Sequence, residues 1–144
     1  MRIMIDTNVL VSAAVFSSPY MMRLMDEISE HHTIVLSTYI LDELKNVIRQ
    51  KFPEKFTLLE NFLRDLPFEL AYTPEKIDKS KYPDIRDIKD LPVLVSALNE
   101  DVDVLLSGDT DFAPLDMKRP EILTPRAFME MYVRVNVDNR NKEI

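Results

Sequence analysis

The chain has 144 residues, a formal charge of −7, 46% hydrophobic residues and 30% charged residues, which predicts one domain that buries roughly two-thirds of its unfolded surface. The absence of cysteine excludes disulfides and thiolate metal sites; no segment approaches the ~20 apolar residues of a membrane span and no signal-peptide core is present, so we expect a cytoplasmic protein. The acidic balance argues weakly against a generic nucleic-acid binder, but it leaves a nuclease open because divalent cations make an acidic site attractive to phosphate.

Short aliphatic runs alternate with helical patterns in the first half of the chain. In order, we predict a strand at 2–5, helices at 8–16 and 19–30, a strand at 34–36 and a helix from 38 to about 50. Ser37 or Thr38 is the candidate N-cap of the last of these helices.

The same alternation continues in the second half. The predicted elements are a helix opened by Pro53, a strand in which Phe68, Leu70 and Tyr72 share one face, a helix from 91 to 100, strands at 102–106 and 121–123, and a helix at 125–132. Residues 73–86 predict a long polar surface connection, and residues 134–144 a frayed polar tail after a single domain at 1–133. Strands alternating with helices indicate an α/β fold with a parallel sheet between helices.

Acidic residues follow two of these strands. Asp6 comes directly after the first strand, and Asp109 and Asp111 come after Ser107 and Gly108, the single glycine of the chain. We interpret this glycine as a tight exit from a strand or as room for a ligand. Acids just past the carboxyl ends of parallel strands are typical of α/β active sites. The alternatives are an N-cap at Asp6 and an Asx-type turn at the later pair.

Two further acids belong to helices. Glu43 falls on the apolar stripe of its helix, where a carboxylate without a partner would be costly to bury; the alternative is a partly exposed position at the edge of that stripe. Asp90 precedes Pro92 by two residues, which also makes it a candidate N-cap. We interpret nearby Asp87 as a cap of the same helix, although it could extend the acid group.

If these ends converge, four or five carboxylates share one crevice. Like charges at such range repel strongly, and divalent cations resolve the conflict. Ligation by oxygen alone favours Mg²⁺ or Mn²⁺, and two such ions about 4 Å apart support phosphodiester hydrolysis. The sequence offers no nucleophilic Cys and no Ser/His/Asp layout, and His31 and His32 are interpreted as exposed.

Four segments carry a family resemblance. They are Met4–Ala13, Leu41–Leu44, Asp90 with Val93–Ala97, and Val104–Phe112. In this order and spacing, over about residues 1–132, they resemble the successive motifs of PIN-domain ribonucleases. The likeness is greatest to the prokaryotic toxins of toxin–antitoxin pairs, of which the VapC type is best known.

The resemblance implies both a fold and a site. The fold is a three-layer PIN-like fold with a five-stranded parallel sheet of order 3-2-1-4-5 flanked by helices. The implied catalytic and metal-binding acids are Asp6, Glu43, Asp90 and Asp109, with Asp111 as a fifth metal ligand. Thr7, Asn8 and Ser107 would orient carboxylates or water around the metal. Single-stranded or looped RNA would be cut by water activated by Mg²⁺ or Mn²⁺.

The resemblance also implies partners. An antitoxin protein and a homodimer are expected, the latter through the Tyr20–Met25 helix or the Phe52–Phe68 region, and no membrane is involved. One departure concerns Pro92, which could shift the helix start so that Asp87 takes over the role given to Asp90.

Two other functions stay open from the sequence. The first is a non-catalytic PIN-like RNA-binding or protein-interaction scaffold in which the acids act as caps. The second is a phosphate-handling α/β enzyme with Asp6 as phosphoacceptor, which is disfavoured because neither Asp-x-Asp at the first strand nor a lysine after a late strand is present.

Overall fold

The computed structural model describes residues 1–108, 112 and 117–133. Strands β1 to β5 comprise Arg2–Ile5, Thr33–Ser37, Glu69–Ala71, Val104–Leu106 and Glu121–Leu123. Helices α1 to α6 comprise Thr7–Val11, Pro19–His31, Thr38–Lys51, Phe56–Asp65, Leu91–Asn99 and Pro125–Phe128. Helices α1 and α6 continue as π-helical turns at Ser12–Phe16 and Met129–Val133, and 3₁₀ turns lie at Pro53–Lys55, Lys79–Lys81 and Ile88–Asp90.

The five strands form one sheet of order β3-β2-β1-β4-β5, and every neighbouring pair is parallel. This confirms the predicted order and fold class. The central strand β1 sets Ile3 beside Ile34 of β2 and beside Val104 of β4. Because helices flank the sheet, the last three residues of β1 have no exposed surface. The carboxyl ends of β1, β2 and β4 therefore meet at one edge.

Short polar side chains start several helices, and the predicted cap at Ser37 is confirmed. Ser37 is the N-cap of α3 and accepts a hydrogen bond from the backbone N–H of Ile40 at 3.2 Å. Ser18 caps α2, and Thr124 caps α6 in the same manner. In the part of the chain that the structure describes, no helix has both the length and the apolar composition to cross a membrane.

The three residues predicted to share one face of the third strand differ in exposure, since Phe68 is partly buried against the core. Leu70 and Tyr72 are 45% and 78% exposed, whereas Ala71 between them is buried. A period of two groups alternate residues on one face, but it does not say which face a helix covers. Since β3 is an edge strand paired only with β2 on the described sheet, its larger side chains lie on the open face.

The described structure gives Gly108 no backbone reason, and the alternative of room for a ligand stays a prediction. Its φ is not positive, and a Cβ added to it would meet no atom within 4 Å. Positive φ values among the described residues occur instead at Ser17 and Asp101, which are not glycines. Nothing in the described structure explains why this position is glycine.

Candidate active site

Asp6 is held at the junction of two strands. It follows β1, and its backbone N–H donates to the carbonyl oxygen of Leu106 at the end of β4. Its Oδ1 accepts from the N–H of Thr7 at 2.7 Å, and its Oδ2 accepts from the hydroxyl of Ser107 at 2.8 Å. The residue is only 7% exposed. These bonds fix the direction of the carboxylate.

Asp6 occupies the N-cap position of α1, but its bond differs from the usual cap. A capping carboxylate normally accepts from the second or third helical N–H. Here Oδ1 accepts from the N–H of the first helical residue, Thr7, and Oδ2 accepts from the hydroxyl of Ser107, which follows β4. The cap alternative therefore accounts for one oxygen of Asp6 and not for the other.

Glu43 lies beside the buried stripe of α3, not on it. The fully buried residues of this helix are Ile40, Leu44 and Ile48, and Glu43 is partly exposed. The expected burial of its carboxylate is wrong, and the edge alternative describes its position. The reason is that α3 buries a narrow i, i+4, i+8 stripe, so positions one residue away reach water.

Tyr39 joins the acids to one another. It lies four residues before Glu43 on α3, so the two side chains share one face of the helix. The Tyr39 hydroxyl donates to the carbonyl oxygen of Lys89 at 3.1 Å. Burial raises its pKa to about 12, together with the charge and hydrogen bonding of Glu43 and the charges of Asp90 and Asp6. Three carboxylates from three parts of the chain therefore act on one hydroxyl.

Asp90 is presented by the 3₁₀ turn that leads into α5. Asp90 occupies the N-cap position of α5 as the alternative predicted, but its side chain makes no capping hydrogen bond there, so capping does not account for the carboxylate. Asp87 instead caps the 3₁₀ turn, because its Oδ1 accepts from the N–H of Lys89 at 3.0 Å. Pro92 fits within the first turn of α5, and the assignment of Asp90 rather than Asp87 to the acid group stays a prediction. The expected cap at Asp87 therefore belongs to the turn before the helix.

A group of hydroxyls braces the start of α3. Thr73, just after β3, accepts from the backbone N–H of Tyr39 at 3.3 Å and shares a 2.8 Å hydrogen bond with Ser96 of α5. The N–H of Thr73 donates to Thr38 at 3.0 Å. We refer to Thr38, Thr73 and Ser96 as the hydroxyl brace.

The sequence did not lead us to Tyr39 or to the hydroxyl brace. The i, i+4 spacing with Glu43 could have indicated Tyr39, whereas no local pattern indicates the brace.

The remaining predicted site residues lie in different surroundings. Thr7 is 2% exposed, and its Oγ1 has no hydrogen-bond partner among the described residues. Asn8 is exposed, and Ser107 is buried against Asp6. Asp109 and Asp111 lie outside the described residues.

The donors are suited to a hard cation. Within residues 1–108, 112 and 117–133, no three acidic or histidine side chains form a complete metal cluster. Mg²⁺ in phosphoryl-transfer sites is commonly held by only one or two carboxylates, with water and substrate phosphate completing the shell. The oriented carboxylate of Asp6 and the orphaned hydroxyl of Thr7 beside it are donors of the kind that such an ion takes. Their donor atoms are all oxygen.

The fold and the placement of these acids define a parallel α/β domain with an acidic site at the carboxyl edge of its sheet. A model of the PIN domain family matches residues 2–111. Since the match spans most of the chain, the chain belongs to the PIN domain family, as the sequence motifs predicted.

Two solved structures share the fold. VapBC2 from Rickettsia felis, solved bound to a DNA fragment from its promoter, matches with a TM-score of 0.64 and 19% identity over 85% of this chain and 97% of that chain. Mycobacterium tuberculosis VapC20, described as a toxin that cleaves the sarcin–ricin loop, matches with a TM-score of 0.55 and 11% identity over 77% of this chain and 92% of that chain. A comparison with curated proteins finds no match.

Proposed function

We propose that this PIN domain is a metal-dependent endoribonuclease that hydrolyses RNA phosphodiester bonds and serves as the toxin of a toxin–antitoxin pair in the cytoplasm. The observation that supports it most directly is the buried carboxylate of Asp6, which Thr7 and Ser107 hold at the carboxyl ends of β1 and β4. We assign the metal-binding role to Asp6, Glu43, Asp90, Asp109 and Asp111. The ion is Mg²⁺ or Mn²⁺, because the donors are oxygens and the chain has no cysteine.

The residues of the chain have distinct tasks in this proposal. Asp6 is the most rigid ligand, because Thr7 and Ser107 hold one oxygen each. Glu43 and Asp90 approach from α3 and from the turn before α5, and they can adjust because both are partly exposed. A bound divalent ion supplies a water that is nucleophilic at neutral pH and offsets charge on the leaving oxygen. Thr7 and Asn8 lie beside Asp6 and orient carboxylate or water.

The substrate and partners follow from the likeness to VapC proteins. VapC20 is a toxin that cleaves the sarcin–ricin loop, which supports single-stranded or looped RNA as the substrate class here. The VapBC2 structure is described as a complex on promoter DNA, which supports an antitoxin partner. We also retain the homodimer as part of the proposal, through the Tyr20–Met25 helix or the Phe52–Phe68 region.

The first experiment measures cleavage of a mixed RNA panel with Mg²⁺, with Mn²⁺ and with chelator. The variants are Asp6→Asn, Asp90→Asn and, as the matched control, Asp87→Asn. Asn caps as well as Asp, so the control changes one charge three residues from Asp90 and preserves the turn. We expect cleavage to require metal and to fall at least about 100-fold in the first two variants. Mutation of residues that only hold the metal ligands in place already lowers metal affinity or activity about 10–100-fold. The control should cut nearly as well as the wild type.

Two results would contradict the proposal. Cleavage that survives chelator, or that is equal in wild type and Asp6→Asn, would place the activity in a contaminant or at another site. A folded wild type that cuts no RNA with either metal would favour the non-catalytic scaffold. Equal losses in Asp87→Asn and Asp90→Asn would show that both acids serve the site.

A further inference from the structure

Tyr39 connects the two acids that the sheet does not position directly. Asp6 is fixed by the ends of β1 and β4, but Glu43 and Asp90 belong to α3 and to the turn before α5. Their separation depends on how α3 packs against that turn. The hydrogen bond from the Tyr39 hydroxyl to the Lys89 carbonyl crosses between them, over 50 positions of sequence.

Both ends of this connection are rigid. Tyr39 has a planar ring with only two side-chain torsions, and it shares a helix face with Glu43. At the other end, Lys89 immediately precedes Asp90, and the Lys89 N–H is held by the Asp87 carboxylate at 3.0 Å. Lys89 is exposed, but it bonds through both its N–H and its carbonyl oxygen, and these two bonds restrict the backbone that enters Asp90.

The base of Tyr39 is also fixed. Its backbone N–H donates to Thr73, which shares a hydrogen bond with the buried Ser96 of α5. Helix α5 carries Asp90 at its start, so the hydroxyl brace ties Tyr39 to the same helix from a second direction. A side chain held at its base by the brace and at its tip by Lys89 acts as a strut between α3 and α5.

We propose that Tyr39 is a positioning residue that sets the spacing of Glu43 and Asp90 for divalent-cation binding. This inference rests on the proposed metal-dependent function, and it assigns Tyr39 no contact with the reacting atoms. Without the hydroxyl, the turn before α5 loses its hydrogen bond to Tyr39 of α3. The distance between the carboxylates of Glu43 and Asp90 is then no longer fixed by this bond. Loss of a group that orients metal ligands without touching the metal typically lowers metal affinity about 10–100-fold.

The test compares Mn²⁺ binding by the wild type, Tyr39→Phe and Tyr82→Phe, read from the electron paramagnetic resonance signal of free Mn²⁺. Tyr82 is the matched control because its hydroxyl also bonds to α5, at Asn99 Oδ1 over 3.2 Å, but at the end of the helix away from the acids. We expect Tyr39→Phe to raise the Kd for Mn²⁺ about 10-fold and Tyr82→Phe to leave it unchanged.

Kinetics separate positioning from loss of stability. In Tyr39→Phe, the Mn²⁺ concentration for half-maximal RNA cleavage should rise with the Kd, kcat should recover at saturating Mn²⁺, and KM for RNA should stay constant. Ile48→Val serves as a second control, because it weakens the buried face of α3 without touching the site. A similar rise of the Mn²⁺ Kd in Ile48→Val would mean that general loosening of α3 explains the effect, which overturns the inference.

The remaining outcomes distinguish failure of the positioning role from failure of the proposed function. If folded Tyr39→Phe binds Mn²⁺ like the wild type while the wild type cuts RNA, the positioning role is wrong and the proposed function stands. If the wild type neither binds Mn²⁺ nor cuts RNA, both are wrong. If Tyr39→Phe does not fold, Thr73→Ala replaces it, since it releases the base of the same strut; a raised Kd supports the inference and an unchanged Kd overturns it.

Discussion

The hydrogen bond between Ser107 and Asp6 provides a quantitative test of how the site is built. Ser107 is 2% exposed and Asp6 is 7% exposed, and the hydroxyl lies 2.8 Å from Oδ2. A hydrogen bond to a charged acceptor contributes about 1.5–3 kcal/mol when buried. We therefore expect Ser107→Ala to lower the free energy of unfolding by about 2 kcal/mol. For a domain of this length, that corresponds to a fall in Tm of roughly 7 °C.

Urea unfolding followed by circular dichroism is a suitable assay, because the chain has no tryptophan. The matched control is Ser80→Ala, which removes a hydroxyl that bonds to Asp78 at 2.6 Å in full exposure. Water replaces that bond on loss of the hydroxyl, so we expect no measurable change in stability. The two variants delete the same group from the same kind of pair, and they differ in burial.

A double-mutant cycle shows whether Asp6 is the source of the effect. In an Asp6→Ala background, Ser107→Ala should cost about 1–2 kcal/mol less than in the wild type, since contacting residues couple by such amounts. An equal cost in both backgrounds would refute the reasoning, because the serine would then stabilise the fold through other contacts. Equal losses in Ser107→Ala and Ser80→Ala would refute the role given to burial.

Two further predictions concern the Tyr39 hydroxyl and Gly108. The pKa of Tyr39 is raised from 10 to about 12, so the stability that it contributes is complete below pH 10 and declines as pH rises toward 12. In an ultraviolet titration, the difference between the wild type and Tyr39→Phe should show ionisation of this tyrosine only near pH 12. A titration midpoint near pH 10 for Tyr39 would contradict the effect of burial and of the nearby acids. Gly108→Ala should be neutral or stabilising by about 0.5 kcal/mol in urea unfolding, because its added Cβ meets no atom and its φ is not positive. A clear loss of stability would show that the glycine is required by the backbone.

The order of elements and the family could be predicted because both depend on local patterns. Apolar runs such as Ile3–Ile5 and Ile34–Leu36 mark buried strands, and the matched strand order follows from the family motifs. Asp6 could be placed at the end of a strand by its position alone. The metal-binding roles of Asp6, Glu43, Asp90, Asp109 and Asp111 stay predictions.

The exposure of individual side chains could not be predicted, because it depends on which neighbour covers each face. Periodicity did not distinguish the exposed Leu70 and Tyr72 from Phe68, which is partly buried against the core, and it placed Glu43 on a stripe that it only borders. Sequence by itself thus determined the strands, the helices and the acids at their ends. Tertiary structure alone decided that Tyr39 of α3 bonds to the turn before α5, because that contact joins residues 50 positions apart.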